Sequence, residues 1–166
     1  MDDTIKGRAG GNMKKTIRLA NEQDFNFIYD AVREDLNEQG VLHRFKYSQE
    51  EFREVIFGRL SVAKFLILSI DGQSIGFANY NIDHRNFTAN YLSTLYLNDL
   101  YVVPSHRKIG GGTLLFNTLK DIAKREHCGC IEWLVLAKNK PSLDFYQKSL
   151  KGKIISDQLH YMRLEL

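Results

Sequence analysis

Residues Leu95 to Leu119 read LYLNDLYVVPSHRKIGGGTLLFNTL. The stretch spells a strand, a proline-marked exit, a glycine-rich turn with two basic residues, and then a helix. Glycine lets the main chain turn sharply and lets another molecule come close to it. Such a turn at a helix N-terminus presents backbone N–H groups at the positive end of the helix dipole, a ready place for phosphate oxygens. The spacing is not that of the common nucleotide loops. GxxxxGK[ST] is absent, and GxGxxG fails because Leu115 stands where the last glycine belongs. What fits is Arg-x-x-Gly-x-Gly at Arg107, Gly110 and Gly112. From the glycines alone, a merely flexible turn fits equally well.

On either side of this stretch the chain alternates strands and helices. Thr16 to Leu19 reads as a first strand. Asn21 to Asn37 reads as a helix, with Asn21 as N-cap and Phe25, Ile28, Val32 and Leu36 recurring at helical spacing. Ser48-Gln49-Glu50-Glu51 is a capping-box pattern that opens a second helix, for which Phe52, Val55 and Ile56 form the expected buried stripe. The intervening Glu38 to Tyr47 is a loop that can border a cleft. Lys64 to Ile70 and Ser74 to Ile82 are strands joined at Asp71-Gly72, a hairpin signal, and Asp83 to Asn90 is a polar loop. Tyr91 to Val103 is a long strand, and Gly111 to Glu126 is a helix with Leu115, Leu119, Ile122 and Ala123 on one face. Ile131 to Leu136 does not alternate and is expected to be buried on both faces. Pro141 to Leu150 reads as a short helix, Gly152 to Ile155 as a further short strand, and His160 to Leu166 as a closing strand. The expected class is α/β with a mixed sheet, in a single domain over residues 13–166. Met1 to Asn12 lacks apolar periodicity and is expected to be a disordered tail or an expression remnant.

The totals bound the function classes. At 166 residues, 43% hydrophobic and 26% charged, the chain has the balance of an ordinary globular domain. A net charge of +3 suits an anionic ligand but is too small for a nucleic-acid footprint. No apolar run approaches the roughly 20 residues that span a bilayer, and Met1 to Asn12 lacks the apolar centre of a secretory signal. The 2 cysteines, Cys128 and Cys130, exclude a disulfide framework and suit a reduced cytoplasmic setting. No second ligand pair accompanies them, so no metal is expected, and both read as small semi-buried side chains.

The stretch Asp99 to Pro104 together with Leu114-Leu115 resembles motif A of the GCN5-related N-acetyltransferases. Leu95 to Val102 (LYLNDLYV), Cys130 to Val135 (CIEWLV) and Asn139 to Tyr146 (NKPSLDFY) are similar to the spermidine/spermine (diamine) branch of that superfamily, as is the opening from Thr16 to Asp24. The resemblance implies a central, mostly antiparallel sheet in which two parallel strands, Tyr91 to Val103 and Ile131 to Leu136, splay apart around acetyl-CoA. By analogy, the backbone of Leu100, Tyr101 and Val102 would pair with the pantetheine arm. The amides of Lys108, Ile109, Gly110, Gly111, Gly112 and Thr113, with the Arg107 side chain, would hold the pyrophosphate. A homodimer is implied by the same branch.

The chemistry sets further demands. A primary amine with a pKa near 10 is about one part in a thousand neutral at pH 7, so attack on a thioester needs proton removal. It also needs donors for the oxyanion and an acid for the departing thiolate. By resemblance the acid is Tyr146, and Asn139 binds the CoA arm or orients the site. The branch carries Glu just before the Asp of its LYL-x-D stretch, and this chain has Asn98 there. Asp99 stands either as the base or as a structural acid, because adjacent strand residues face opposite sides unless a bulge intervenes. Glu34 and Asp35, or Tyr80 and Asp83, can supply the missing acceptor charge. Trp133 reads as core, Lys138 as solvated or near a CoA phosphate, and His84, His106 and His160 as surface or packing residues.

The expected activity is acetyl-CoA-dependent N-acetylation of a small amine (polyamine, diamine, amino acid such as a lysine analogue, or aminoglycoside) by direct attack in a ternary complex, because no cysteine lies in either motif. A protein N-terminal or lysine acetyltransferase and a non-catalytic acyl-CoA sensor are the alternatives, the last kept open by Asn98.

Overall fold

The computed structural model describes residues 5–7 by main chain alone, and residues 14–59, 61, 63–84 and 92–155. The chain divides into Met1–Leu134 and Val135–Leu166.

The first unit is built on a sheet in the order β1 to β6: β1 (Ile5–Gly7), β2 (Lys15–Leu19), β3 (Lys64–Ile70), β4 (Gln73–Asp83), β5 (Ser93–Val102) and β6 (Cys128–Trp133). Every neighbouring pair is antiparallel except β5 and β6, which run parallel. A parallel pair needs a crossover, and α3 (Gly111–Arg125) supplies it. The hairpin between β3 and β4 turns on Asp71 (φ 49°) and Gly72 (φ 87°), the two positive-φ positions that Asp-Gly signals.

One face of the sheet carries α1 (Phe25–Glu38) and α2 (Gln49–Phe57). Phe25, Ile28, Phe52 and Ile56 from the helices pack with Phe65, Ile67, Phe77 and Tyr101 from the strands. The alternate strand residues turn to α3, where Leu115 and Leu119 are fully buried and Gly111 passes against Leu68 and Val102. Asn21 caps a short turn (Glu22–Asp24) ahead of α1 in a reciprocal box with Asp24, and Ser48 and Glu51 make the same box at α2. Asp24 also receives both Arg18 nitrogens, at 2.7 and 2.8 Å. Burial works against its charge, yet the Arg18 hydrogen bond and the Asn21 amide hold its pKa below the usual range.

Several expectations need correction. Ile5–Gly7, placed in the featureless leading segment, forms an edge strand against Lys15–Ile17; edge pairing uses main-chain groups and needs no apolar period. The rest of Met1 to Asn12 lies outside the described residues. Val55 is 42% exposed, because α2 is anchored through Phe52 and Ile56 alone. The strand expected at Ile131 to Leu136 begins earlier, at Cys128, and is only partly covered, with Cys130 exposed; its one described neighbour is β5. Trp133 is half-buried and meets Phe116 edge-on at 5.3 Å.

In the second unit, Lys140–Asp144 is one helical turn (α4), capped by Asn139, whose Oδ1 accepts the Ser142 amide at 3.2 Å. It widens into a π-helical turn over Phe145–Ser149, so Pro141 to Leu150 is not one regular helix. Residues 152–155 are not a strand, since the chain leaves the turn with Gly152 N–H donating to the Tyr146 carbonyl. His160 to Leu166 lies outside the described residues.

Candidate active site

Two irregularities in β5 build the site. The first is the end of its parallel partner: β6 pairs from Ser93↔Cys128 to Leu97↔Trp133 and stops, while β4 stays paired with β5 up to Gly76↔Val102. Among the described residues, Asn98 to Val102 therefore have a strand on one side only. The Val103 N–H donates to the Ile75 carbonyl, which fixes the direction of each peptide group nearby. By alternation, Tyr101 and Val103 point their main chain at β4, and Leu100 and Val102 point theirs to the open edge. The sequence expectation that all three of Leu100, Tyr101 and Val102 offer backbone to a ligand is thus narrowed to Leu100 and Val102. Tyr101 instead sends a buried side chain toward α1.

The second irregularity is a β-bulge. Asn79 lies opposite Asp99 and Tyr80 opposite Leu97, leaving Asn98 as the extra residue. The bulge lets neighbouring side chains share a face. Asn98 Nδ2 donates to Asn81 Oδ1 at 3.0 Å and to Asn79 Oδ1 at 3.3 Å, and Asn79 Nδ2 donates to Asp99 Oδ2 at 3.0 Å. Asn98 and Asp99 thus lie together on the α1 side of the sheet. Burial raises the Asp99 pKa, offset in part by the Asn79 hydrogen bond.

Above this face runs the acidic end of α1. Asp35 is pushed up to about 6, first by burial; the Gln39 hydrogen bond lowers it, Asp99 and Glu38 raise it, and Arg107 lowers it. Burial, followed by the Glu34 carboxylate, raises the pKa of the Tyr101 hydroxyl, which has no hydrogen bond of good geometry. Glu34, Asp35 and Asp99 are brought into one neighbourhood. Tyr80 is not: it faces α3, beside Thr118, Ile122 and Arg125, around a cavity of about 60 Å³. By alternation between Asn79 and Asn81, Tyr80 falls on the opposite side of the sheet, so the structure does not bring it together with Asn98 and Asp99 as the sequence reading expects. Asp83 ends β4 opposite Thr94.

The turn after β5 runs through Pro104–His106 into α3. Lys108 (φ 64°) and Gly110 (φ 84°) are both left-handed, and Gly110 caps α3 with no side chain to occupy the first-turn amides. A Cβ at Gly110 would meet nothing within 4 Å, so open space lies beside those N–H groups. The Lys15 ammonium donates to the Ile109 carbonyl and steadies the turn from β2. Arg107 is already engaged. Its Nε donates to the Val102 carbonyl at 2.7 Å and its Nη2 to both Glu38 oxygens at 2.9 and 2.8 Å.

Asn139 and Tyr146 belong to the second unit. Asn139 caps the helical turn, and Tyr146 sits in the π-helical turn with its ring 5.3 Å from Phe145. The loop Glu38 to Tyr47 closes over an aromatic cluster, in which Phe45 lies 5.0 Å from Phe52 and 5.8 Å from Tyr29. Sequence reasoning missed Asn79, Asn81 and Glu38. The first two carried a signal, since polar residues at period two interrupt an otherwise apolar strand. Among the described residues, no His, Cys, Asp and Glu cluster could hold a metal ion.

The open strand edge and the uncapped amide turn fit a long, phosphate-bearing cofactor laid along them. Comparison with known proteins gives the family. The model of the acetyltransferase (GNAT) family matches residues 14–151. The chain is 28% identical over 139 residues to thialysine N-epsilon-acetyltransferase of Mus musculus, covering 79% of this chain and 80% of that protein. It is 32% identical over 137 residues to spermidine/spermine N(1)-acetyltransferase-like protein 1 of Homo sapiens, covering 78% of this chain and 19% of that one. The solved structure of an integron cassette protein from V. cholerae superposes with a TM-score of 0.72 at 22% identity over 94% of both chains, a likeness of fold. The chain belongs to the GNAT acetyltransferase family.

Proposed function

We propose that the protein transfers the acetyl group of acetyl-CoA to a primary amine of a small molecule by direct attack in a ternary complex. The observation that carries this reading is the succession of two backbone surfaces, a β5 edge that no described strand covers beyond Leu97 and a turn into α3 that no side chain caps. The Leu100 and Val102 edge of β5 runs into the amides of Lys108 to Thr113, matching an amide-bearing arm followed by a pyrophosphate. Beside that edge, Asp99 and the acidic end of α1 form a negatively charged floor suited to an ammonium group.

In this scheme Asp99 takes the proton, directly or through water, and the neutral amine attacks the thioester carbonyl. Its raised pKa brings the carboxylate closer to the amine in proton affinity, which helps a base. Asn79 fixes one Asp99 oxygen. Collapse of the tetrahedral adduct breaks the C–S bond; the Tyr146 hydroxyl gives the departing thiolate its proton, and the second proton of the amine nitrogen, released as the amide forms, restores the tyrosine through water. Asn139 orders the turn from which Tyr146 projects. The curated relatives are named for thialysine and for spermidine and spermine, which supports an acceptor with an amine on a flexible aliphatic arm.

The test is incubation with acetyl-CoA and separate acceptors (thialysine, spermidine and a lysine-containing peptide), with product identified by mass spectrometry. Acetylated thialysine or spermidine is expected. Modification of the peptide alone would make the protein acceptor the right reading. Binding of acetyl-CoA with no acetylated acceptor would make the chain a sensor. The homodimer implied by the family resemblance is read separately, by sedimentation of the same sample.

A further inference from the structure

The last turn of α1 poses an electrostatic problem. Asp35 and Glu38 lie at the negative end of the helix dipole, and that turn has no basic residue. Glu34 adds a third acid just before them, and Asp99 faces Asp35 from β5. Left alone, this end of the helix would be pushed away from the sheet. Arg107 answers from outside the helix. Its Nη2 bridges both Glu38 oxygens, its Nε holds the Val102 carbonyl, and its guanidinium carbon lies 5.3 Å from the centre of the Tyr101 ring. One planar side chain thus joins three elements: the end of α1, the end of β5 and the turn leading to α3. Held by Nε at the Val102 carbonyl and by Nη2 at the Glu38 carboxylate, the planar guanidinium fixes an angle as well as a distance.

We propose that Arg107 is a positioning residue for the acceptor half of the site, clamping the acidic end of α1 over Asp99, and is not a ligand of the cofactor pyrophosphate. The Nε contact closes the open edge of β5 at Val102, so the pantetheine partner ends there and the phosphates meet main-chain amides. The Glu38 contact sets where Glu34 and Asp35 stand relative to Asp99. The charged and titratable groups around Asp35 are Glu38 on its own helix, Asp99 from β5 and Arg107 from the following turn. Of these, Arg107 alone favours the ionised carboxylate. This inference rests on the acetyltransferase reading above.

The test compares Arg107→Gln and Glu38→Gln with wild type in two measurements. Acetyl-CoA affinity is taken by calorimetry with no amine present. Steady-state KM and the pH profile are taken with whichever of spermidine and thialysine wild type acetylates faster. Both variants are expected to keep acetyl-CoA affinity within about threefold and to raise the amine KM about tenfold. The part of the acid limb set by Asp35 should move up in Arg107→Gln, which loses a cation beside Asp35, and down in Glu38→Gln, which loses an anion beside it. A merely structural role would not move the two limbs in opposite directions. A tenfold or greater loss of acetyl-CoA affinity in Arg107→Gln, with the amine KM unchanged, would overturn the proposal. Should Arg107→Gln fail to fold, Glu38→Gln decides alone: an unchanged amine KM there overturns it. Failure of the acetyltransferase reading shows itself separately, as wild-type protein that binds no acetyl-CoA or acetylates no acceptor.

Discussion

Leu97 stands opposite Trp133 in the last parallel pair of the sheet, and beyond that pair β5 continues to Val102 bonded to β4 alone among the described strands. An open edge inside a sheet is costly unless something pairs with it, because each unpaired buried N–H or C=O forfeits roughly 1–3 kcal/mol. Among the described strands one place beside β5 is free beyond Leu97, and the chain leaves that end of β5 for the glycine turn.

The turn gives the first prediction. Gly110 sits at φ 84° with open space around its missing Cβ, so Gly110→Ala meets a backbone cost of about 1–2 kcal/mol but no clash. Gly110→Asp adds a negative charge beside the first-turn amides. Calorimetry should show acetyl-CoA affinity falling at least tenfold for Asp and less than about threefold for Ala. Equal affinities in the Asp variant and wild type would refute the assignment of the turn.

Asp99 should carry the proton transfer. Asp99→Asn preserves shape and the contact with Asn79, yet removes the base, so kcat/KM should fall by about 100-fold or more while acetyl-CoA binding holds. Asn98→Ala breaks the bonds to Asn79 and Asn81 without touching the carboxylate, and the expected loss is under about tenfold. The reverse ranking of the two variants would make Asn98 the more important group and Asp99 a structural acid.

Asp35 makes stability depend on pH. Its folded pKa of about 6 lies above the unfolded value of about 3.9, so the folded state binds more protons between those values. Its favourable contribution is complete below about pH 4 and is lost as pH rises through 6. Asp35→Asn should therefore melt higher than wild type at pH 7.5, by about 1–2 kcal/mol in stability after allowance for partial exposure, and the two should converge near pH 4. Parallel melting curves from pH 4 to 7.5 would show that Asp35 is not perturbed.

Tyr146 lies in a π-helical turn, a widening often found where a helix presents a functional side chain. Tyr146→Phe keeps the ring and removes the hydroxyl. The turnover rate should fall by about tenfold or more, with acetyl-CoA affinity unchanged. Undiminished turnover would remove Tyr146 from the acid role.

Much of the fold follows from local pattern. The boxes at Asn21 and Ser48, the Asp71-Gly72 hairpin and the helix after the glycines are each set by a few neighbouring residues, and each is found where its chemistry implies. The site is legible only in part, because its decisive features are relations between strands. Whether Asn98 and Asp99 share a face depends on one extra residue opposite Tyr80, and nothing in LYLNDLYV states a register. Arg107 fits a phosphate-loop pattern in sequence, and only the folded chain brings Glu38 to it.

The most direct test of where the cofactor lies is an amide NMR titration of the assigned protein with acetyl-CoA. Saturating changes are predicted at the N–H groups of Leu100, Val102 and Lys108 to Thr113, with Tyr101 and Val103, whose main chain faces β4, much less affected. Saturable binding that leaves Leu100, Val102 and the glycine turn unperturbed would contradict the account.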